Sequence, residues 1–264
     1  MRILLSNDDS VHAEGIKVLL KALRKVAEVI VVAPLEEKST TGHSLTLHKP
    51  LRVLKMSDDY YGVSGSPADC VHVGINEILK GKKPDFVVSG INRGANLGQD
   101  VYYSGTVSAA REGAIMGIPA LAVSLGVNFQ KPKLEKDLNY AAAGKMTADV
   151  IESFWKNRKK EPIPIRTLLN LNVPDLPLKK IKGLKLARQG FRHYDGKIIK
   201  RTDHRGRDYF WVGGEYAGFE SIESTDCKVV DDHYASLTPL SLDTTDHVYL
   251  EKLMTRWGSR VTLK

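Results

Sequence analysis

Cysteine is almost missing from this chain of 264 residues: Cys70 and Cys227 are the only two. They form no disulfide framework and show no metal-ligand spacing, so a stapled secreted fold and a thiolate zinc site are both excluded as expectations. Aromatic residues are sparse at 7%, and no RNP-like aromatic pattern or zinc-finger spacing occurs. Dedicated nucleic-acid binding is therefore not expected. No apolar run approaches the roughly 20 residues that cross a bilayer. The apolar stretch at the N-terminus is only Ile3-Leu4-Leu5 behind a single Arg2, which is not the pattern of a signal peptide. Internal repeats and low-complexity linkers are also missing. The expectation is a cytoplasmic protein with no membrane association.

Apolar residues make up 42% of the chain, enough for a substantial core, and the length suits one large α/β unit. The formal charge is +8, which favours anionic partners such as phosphorylated small molecules, polyphosphate or nucleic acid. The basic residues are dispersed, and clusters such as 156–160 and 179–185 read as solvated faces.

The first ten residues carry the most chemistry. Ile3, Leu4 and Leu5 are apolar on both faces, as in a buried parallel strand, and the run ends on adjacent carboxylates, Asp8 and Asp9. Open α/β sheets bind ligands just beyond the carboxyl ends of such strands. Two neighbouring carboxylates there repel each other unless protons or a cation relieve them, and a hard divalent metal suits oxygen ligands. A plain turn capping the next helix is the alternative reading.

Along the chain, Ile16, Leu19, Leu20, Leu23 and Val26 repeat at helical spacing, and 29–33 reads as a second buried strand stopped by Pro34. Segments 51–56 and 60–63 suit a hairpin. Ser66-Pro67 opens a helix running to about residue 80. A strand at 86–89, a Gly-rich loop at 90–105, a helix near 106–116 and a strand at 120–124 follow. The spacing predicts another helix over 134–155 and a strand at 167–172. Alternating strands and helices argue for a mainly parallel sheet covered on both faces. Residues 1–180 are expected to form the catalytic core of a single domain spanning 1–264. Beyond 181, a long hairpin over 188–212 and an amphipathic helix over 246–257 have little local core, so an extension exchanged between subunits is expected.

Adjacent parallel strands bring Asp8, Asp9, Ser39 and Asn92 to one rim. Two carboxylates, a hydroxyl and an amide oxygen make a plausible hard-metal site. In the loop 89–106, Gly90, Gly94, Gly98 and Gly105 permit tight turns and close approach to an anion, and Ser104 and Thr106 stand where a helix begins. Asn96, Ser104, Gly105 and Thr106 are therefore the expected phosphate contacts. With Asp8 and Asp9, the residues Asn96, Ser104 and Thr106 are the expected catalytic set. The loop is neither a Walker motif nor a dinucleotide fingerprint. His43 is weighed as a proton donor, Arg93 as a phosphate contact, and Tyr102 and Tyr103 as stacking groups, each against an ordinary structural or surface role. Asp69 and Cys70 are expected to be structural.

These residues together resemble the SurE family of survival-protein-E phosphatases, the 5′/3′-nucleotidases. The resemblance rests on Asn7-Asp8-Asp9, Ser39 after a Val-Val-Ala-Pro strand, Gly42-His-Ser-Leu-Thr46, Gly65-Ser-Pro-Ala-Asp-Cys-Val71, Ser89-Gly-Ile-Asn-Arg-Gly-Ala-Asn-Leu-Gly98, Tyr103-Ser-Gly-Thr-Val107 and Ser236-Leu-Thr-Pro-Leu240. It implies a Rossmann-like, three-layer α/β core whose C-terminal hairpin and helix serve oligomerisation, as a homodimer or homotetramer. It also implies one divalent cation per subunit, with Mg²⁺ or Mn²⁺ the first choice, on Asp8, Asp9, Ser39 and Asn92. The implied reaction is hydrolysis of nucleoside monophosphates to nucleoside and phosphate by metal-activated water. A nonenzymatic nucleotide- or polyphosphate-binding sensor is the alternative. The chain departs from the family pattern at Ser10 and Thr40, where the family usually has glycine, and at Ser66, where threonine is commoner.

Overall fold

The structure is a computed structural model that describes residues 1–127 and 133–258. The chain begins with β1 (Arg2–Ser6), α1 (Glu14–Leu23) and β2 (Glu28–Pro34), then β3 (Val53–Ser57), β4 (Tyr60–Val63) and α2 (Pro67–Val73). It continues through β5 (Phe86–Arg93), α3 (Gly105–Ile115), β6 (Ala120–Gly126), α4 (Tyr140–Asn157) and β7 (Thr167–Pro174). The later elements are β8 (Leu184–Leu186), β9 (Arg192–Tyr194), β10 (Ile198–Thr202), β11 (Asp208–Val212), β12 (Tyr216–Phe219), α5 (Asp226–Asp231), β13 (Ala235–Ser241) and α6 (His247–Trp257).

Nine strands form the central sheet in the order β3-β4-β2-β1-β5-β6-β7-β13-β8. The middle strands β2, β1, β5, β6 and β7 are parallel, and antiparallel pairs occur at β3–β4 and at β13–β7. Strand β1 is central because both its faces are apolar. Ile3 and Leu5 pack with α1 and α4, while Leu4 packs with α2 and α3. Helix α1 buries Ile16, Leu19 and Leu23, each burial worth roughly 1.5–3 kcal/mol. Helix α2 begins as the Ser66-Pro67 pair predicts: Ser66 accepts from the Asp69 amide, and Asp69 reciprocates on the Ser66 amide.

Three expectations change in detail. The helix expected from 134 starts at Tyr140, after a single 3₁₀ turn at Glu135–Asp137. The helix expected to run to residue 80 stops at Val73 and continues as a π-type turn, Gly74–Ile78. The single hairpin expected over 188–212 is two nested ribbons, β9 with β12 and, inside it, β10 with β11.

The sheet also does not end at residue 180. Strands β8 and β13 come from beyond 181 and complete it beside β7. Strand β13 is hard to read from sequence because it contains Pro239. The neighbour β8 pairs only with Ala235, Ser236 and Leu237. That edge is open by Pro239, where a missing N–H is tolerated.

Candidate metal and phosphate site

The ends of β1, β2 and β5 meet at the carboxyl rim of the sheet, and a cleft of about 1590 Å³ opens there. Asp8, Asp9, Ser39, Asn92, Asn96 and Ser104 all line it, so most of the sequence-predicted set is brought together. Gly105 and Thr106 stand directly behind Asp8.

Asp8 is 4% exposed and Asp9 follows it in the chain, so two carboxylates share a poorly solvated corner. Burial raises the Asp8 pKa. Asp9 is pushed up to about 7, first by burial and then by the Asp8 charge. No cationic side chain among the described residues forms an ion pair with either carboxylate. Their nearest polar support is a pair of donors. The Thr106 hydroxyl donates to Asp8, and the Arg93 amide donates to Asp9 at 3.3 Å.

The donor set fits a hard divalent cation. Asn92 donates its Nδ2 to the Gly94 carbonyl at 2.8 Å, which leaves Oδ1 for a ligand. Ser39 hangs from the loop after β2, and its hydroxyl donates to Glu37 at 2.7 Å. Glu37 is a third carboxylate on the cleft wall, not anticipated from sequence, and its charge opposes ionisation of both Asp8 and Asp9. The Lys38 amide donates to the Asp8 carbonyl at 2.8 Å, tying this loop to the end of β1.

The expected phosphate contacts also serve the fold itself. Ser104 caps α3, its hydroxyl accepting from the Val107 amide at 3.0 Å. The Thr106 hydroxyl and amide both serve the Asp8 carboxylate. The positive end of α3 therefore also stabilises a protein carboxylate. Gly105 has a packing role as well. It packs on Asp8, and a Cβ there would stand 2.7 Å from the Asp8 Cβ and 2.8 Å from its Oδ2. Asn96 donates through Nδ2 to Ser124 at 2.7 Å. Its backbone rests on a buried shelf from β7: Asn172 accepts from the Asn96 amide at 2.8 Å, and Asn170 donates to its carbonyl at 2.8 Å. Sequence reasoning missed this shelf. Its signal was two asparagines, Asn170 and Asn172, alternating in an otherwise apolar strand.

The loop carrying Ser39 is pinned well away from the cleft. His43 meets buried Glu112 of α3 at 2.9 Å, and His72 of α2 meets the same carboxylate at 3.2 Å. His43 therefore faces α3 and does not line the cleft. Thr46 donates to Asp69 through its amide at 2.9 Å and its hydroxyl at 2.7 Å. Tyr103 lines the cleft, whereas Tyr102 is exposed outside it. Cys70 is buried in the core, as expected.

The two glycine departures flank the carboxylates, and both adopt left-handed backbone: Ser10 at φ 87° and Thr40 at φ 57°. Glycine tolerates this region without the steric cost that a Cβ imposes. Ser10 has partial compensation, since its hydroxyl accepts from the His12 amide at 3.3 Å and its carbonyl from Asn7 Nδ2 at 2.8 Å.

Fold and rim define a class: a Rossmann-like α/β protein with an oxygen-rich pocket at the carboxyl edge of its sheet. Within that class the chain belongs to the SurE family. The family model described as Survival protein SurE matches residues 3–196. The chain is 46% identical to the 5′-nucleotidase SurE of Geobacter metallireducens over 100% of both chains. It is 43% identical to the 5′-nucleotidase SurE of Vibrio cholerae over 96% of both. The crystal structure of the SurE protein from Aquifex aeolicus superposes with a TM-score of 0.83 at 40% identity, covering 97% of this chain and 99% of that one.

Two outcomes follow from this geometry. Gly105→Ala should lower affinity for Mn²⁺ by displacing Asp8, while a spacious phosphate loop would tolerate it; calorimetric titration with Mn²⁺ reads the difference. The second concerns pH. Metal-free folded protein holds the Asp9 proton up to about pH 7, whereas an ordinary Asp releases it near 3.8. The stabilisation is full below the ordinary value and is lost as pH rises through about 7. Denaturant unfolding in chelator should show stability falling across that window, and Asp9→Asn should flatten the fall.

Proposed function

We propose that this protein is a metal-dependent phosphomonoesterase that hydrolyses nucleoside 5′-monophosphates to nucleoside and inorganic phosphate. The observation that carries the reading is the adjacent pair of buried Asp8 and half-buried Asp9 at the sheet rim, without a cationic partner among the described residues. The curated relatives named 5′-nucleotidase SurE align over essentially the whole chain and support the same activity. The family depends on metal. A purely binding sensor is disfavoured, because two carboxylates beside an anionic ligand repel it unless a cation intervenes.

Asp8, Asp9, Asn92 and Ser39 are the residues that would hold the cation, with Mg²⁺ or Mn²⁺ the best match to an all-oxygen set. Bound there, the cation supplies Lewis acidity and positive charge toward the phosphoryl group. Thr106 fixes the Asp8 rotamer, and the Arg93 amide restrains Asp9. The Asn170–Asn172 shelf fixes Asn96 at the cleft wall. A cytoplasmic setting suits two free, buried cysteines.

We also place subunit assembly in the C-terminal extension. Strands β10 and β11 pair only with each other and are exposed along their length, with Phe210 61% and Trp211 62% accessible. Helix α6 buries no residue, and Leu250, Met254 and Trp257 stay exposed. Such faces call for a partner, and a homodimer or homotetramer formed by exchange covers them.

Phosphate release from nucleoside monophosphates should vanish on chelation and return with Mg²⁺ or Mn²⁺. Asp8→Asn and Asp9→Asn should each lose most turnover at limiting metal while remaining folded by circular dichroism. Full activity in exhaustively chelated protein would rule the reading out. Light scattering at high micromolar concentration should show an oligomer that deletion of 246–264 weakens; a strictly monomeric wild-type protein would contradict the assembly.

A further inference from the structure

The cleft is short of free positive charge, although the chain as a whole carries +8. Among the described residues five carboxylates line it, Asp8, Asp9, Glu37, Asp100 and Glu215, against two guanidiniums, Arg93 and Arg192. Arg192 is committed: it forms an ion pair with Asp100 and lies 4.3 Å from the centre of the Tyr216 ring. The polar groups expected to meet phosphate also serve the fold, the Ser104 hydroxyl accepting as a helix cap, the Thr106 hydroxyl donating to Asp8 and one Asn96 N–H donating to Ser124, and none of them carries a positive charge. A phosphate dianion entering this cleft needs positive charge beyond what those groups offer.

Arg93 is the group in a position to supply it. Its side chain is exposed on the cleft wall and forms no ion pair or hydrogen bond with any described residue. Its backbone amide is already anchored on Asp9, so the guanidinium is tethered at the rim. Direction follows from the sheet. Asn92 pairs in register with Ser124, and Arg93 with Leu125, whose side chain belongs to the core under α1 and α4. Successive strand residues face opposite sides. Arg93 therefore approaches the rim from the α4 side, and its charge is felt by Tyr140 at the start of α4. Thr106 approaches Asp8 from the α3 side.

We propose that Arg93 is the substrate-anion residue of this cleft, its guanidinium binding the non-bridging phosphoryl oxygens of the monoester from the α4 side. The assignment rests on the phosphomonoesterase reading above. A guanidinium presents paired N–H donors that match phosphate oxygens in a bidentate fork, which a lysine ammonium does not reproduce.

The test uses the full chain at saturating Mn²⁺, with Arg93→Met and Arg93→Lys. Inorganic phosphate binding and Mn²⁺ binding are measured by calorimetry, and kcat and KM on a nucleoside monophosphate by phosphate release. Arg93→Met should weaken phosphate binding and raise KM by roughly 10- to 150-fold, the span of a lost hydrogen bond to a charged group. Mn²⁺ affinity and thermal stability should be unchanged. Arg93→Lys should recover part of the phosphate affinity. Phosphate affinity and KM at wild-type values would overturn the proposal. A loss that merely parallels weaker Mn²⁺ binding would overturn it too, since that signature belongs to displacement of Asp9 through its backbone contact. Wild-type protein that binds no phosphate at saturating Mn²⁺ also overturns it. If the wild type binds phosphate yet hydrolyses no nucleotide with any metal, the enzymatic reading fails while the phosphate titration still decides the role of Arg93.

Discussion

Repulsion between two adjacent carboxylates, Asp8 and Asp9, is the constraint on which the rest of this molecule is arranged. The central strand β1 delivers both to a corner where water is scarce, and among the described residues no cationic side chain pairs with them. In water such a pair costs little. In a poorly solvated corner one carboxylate must keep its proton or share a cation, and burial drives Asp9 toward neutrality at pH 7. A site of this kind is stable in two states, protonated or metal-bound, and that duality makes it useful for chemistry on phosphate.

The surrounding elements serve this pair. Helix α3 points its N-terminus at Asp8, Thr106 contributes a hydroxyl to it, and Gly105 stays small so that the carboxylate fits. The Ser39 loop closes over the same residue and is anchored at a distance by two buried acids. Glu112 is held between His43 and His72, and Asp69 is held by Thr46 and Ser66. Each buried carboxylate has hydrogen-bond partners, which offsets the cost of removing it from water. A loop of modest intrinsic order thus becomes a fixed wall of the cleft.

The C-terminal extension is joined to the same loop system. Asp226, fully buried at the start of α5, accepts from the Gly98 amide at 3.0 Å and the Gly190 amide at 2.8 Å. Gln99 exchanges hydrogen bonds with the Arg192 backbone, and Arg192 pairs with Asp100. The second half of the Gly-rich loop is therefore stitched to the ribbon that leaves the core. Phe191, Arg192, Tyr194 and Tyr216 of that ribbon form the far wall of the cleft. The ribbon with exposed apolar surface and the cleft with the paired carboxylates therefore share one boundary.

Much of this was legible in the residue order. Apolar runs at 3–5, 29–33, 86–89 and 120–124 mark strands buried on both faces, because only such strands dispense with alternation. Asp8, Asp9, Ser39 and Asn92 could be placed at one rim because parallel strands share a carboxyl edge. Local chemistry also announced the Ser66 cap. Strand β13 was hidden because Pro239 reads as a breaker until its open edge is seen. The asparagine shelf, Glu37 and the Asp226 clamp were hidden because they join residues far apart in the chain, and spacing has no information on such contacts. What the sequence by itself determined was the fold class, the family and the gathering of Asp8, Asp9, Ser39 and Asn92 at one rim, all local properties of strands and their ends. Tertiary structure alone decided which hydrogen-bonding groups remain free. The Thr106 hydroxyl is spent on Asp8 at the end of β1, Ser104 accepts from α3, one Asn96 N–H goes to β6, and the Arg93 guanidinium is left facing the cleft. A donor satisfied inside the protein is no longer available to a ligand, and only packing reveals which donors are satisfied.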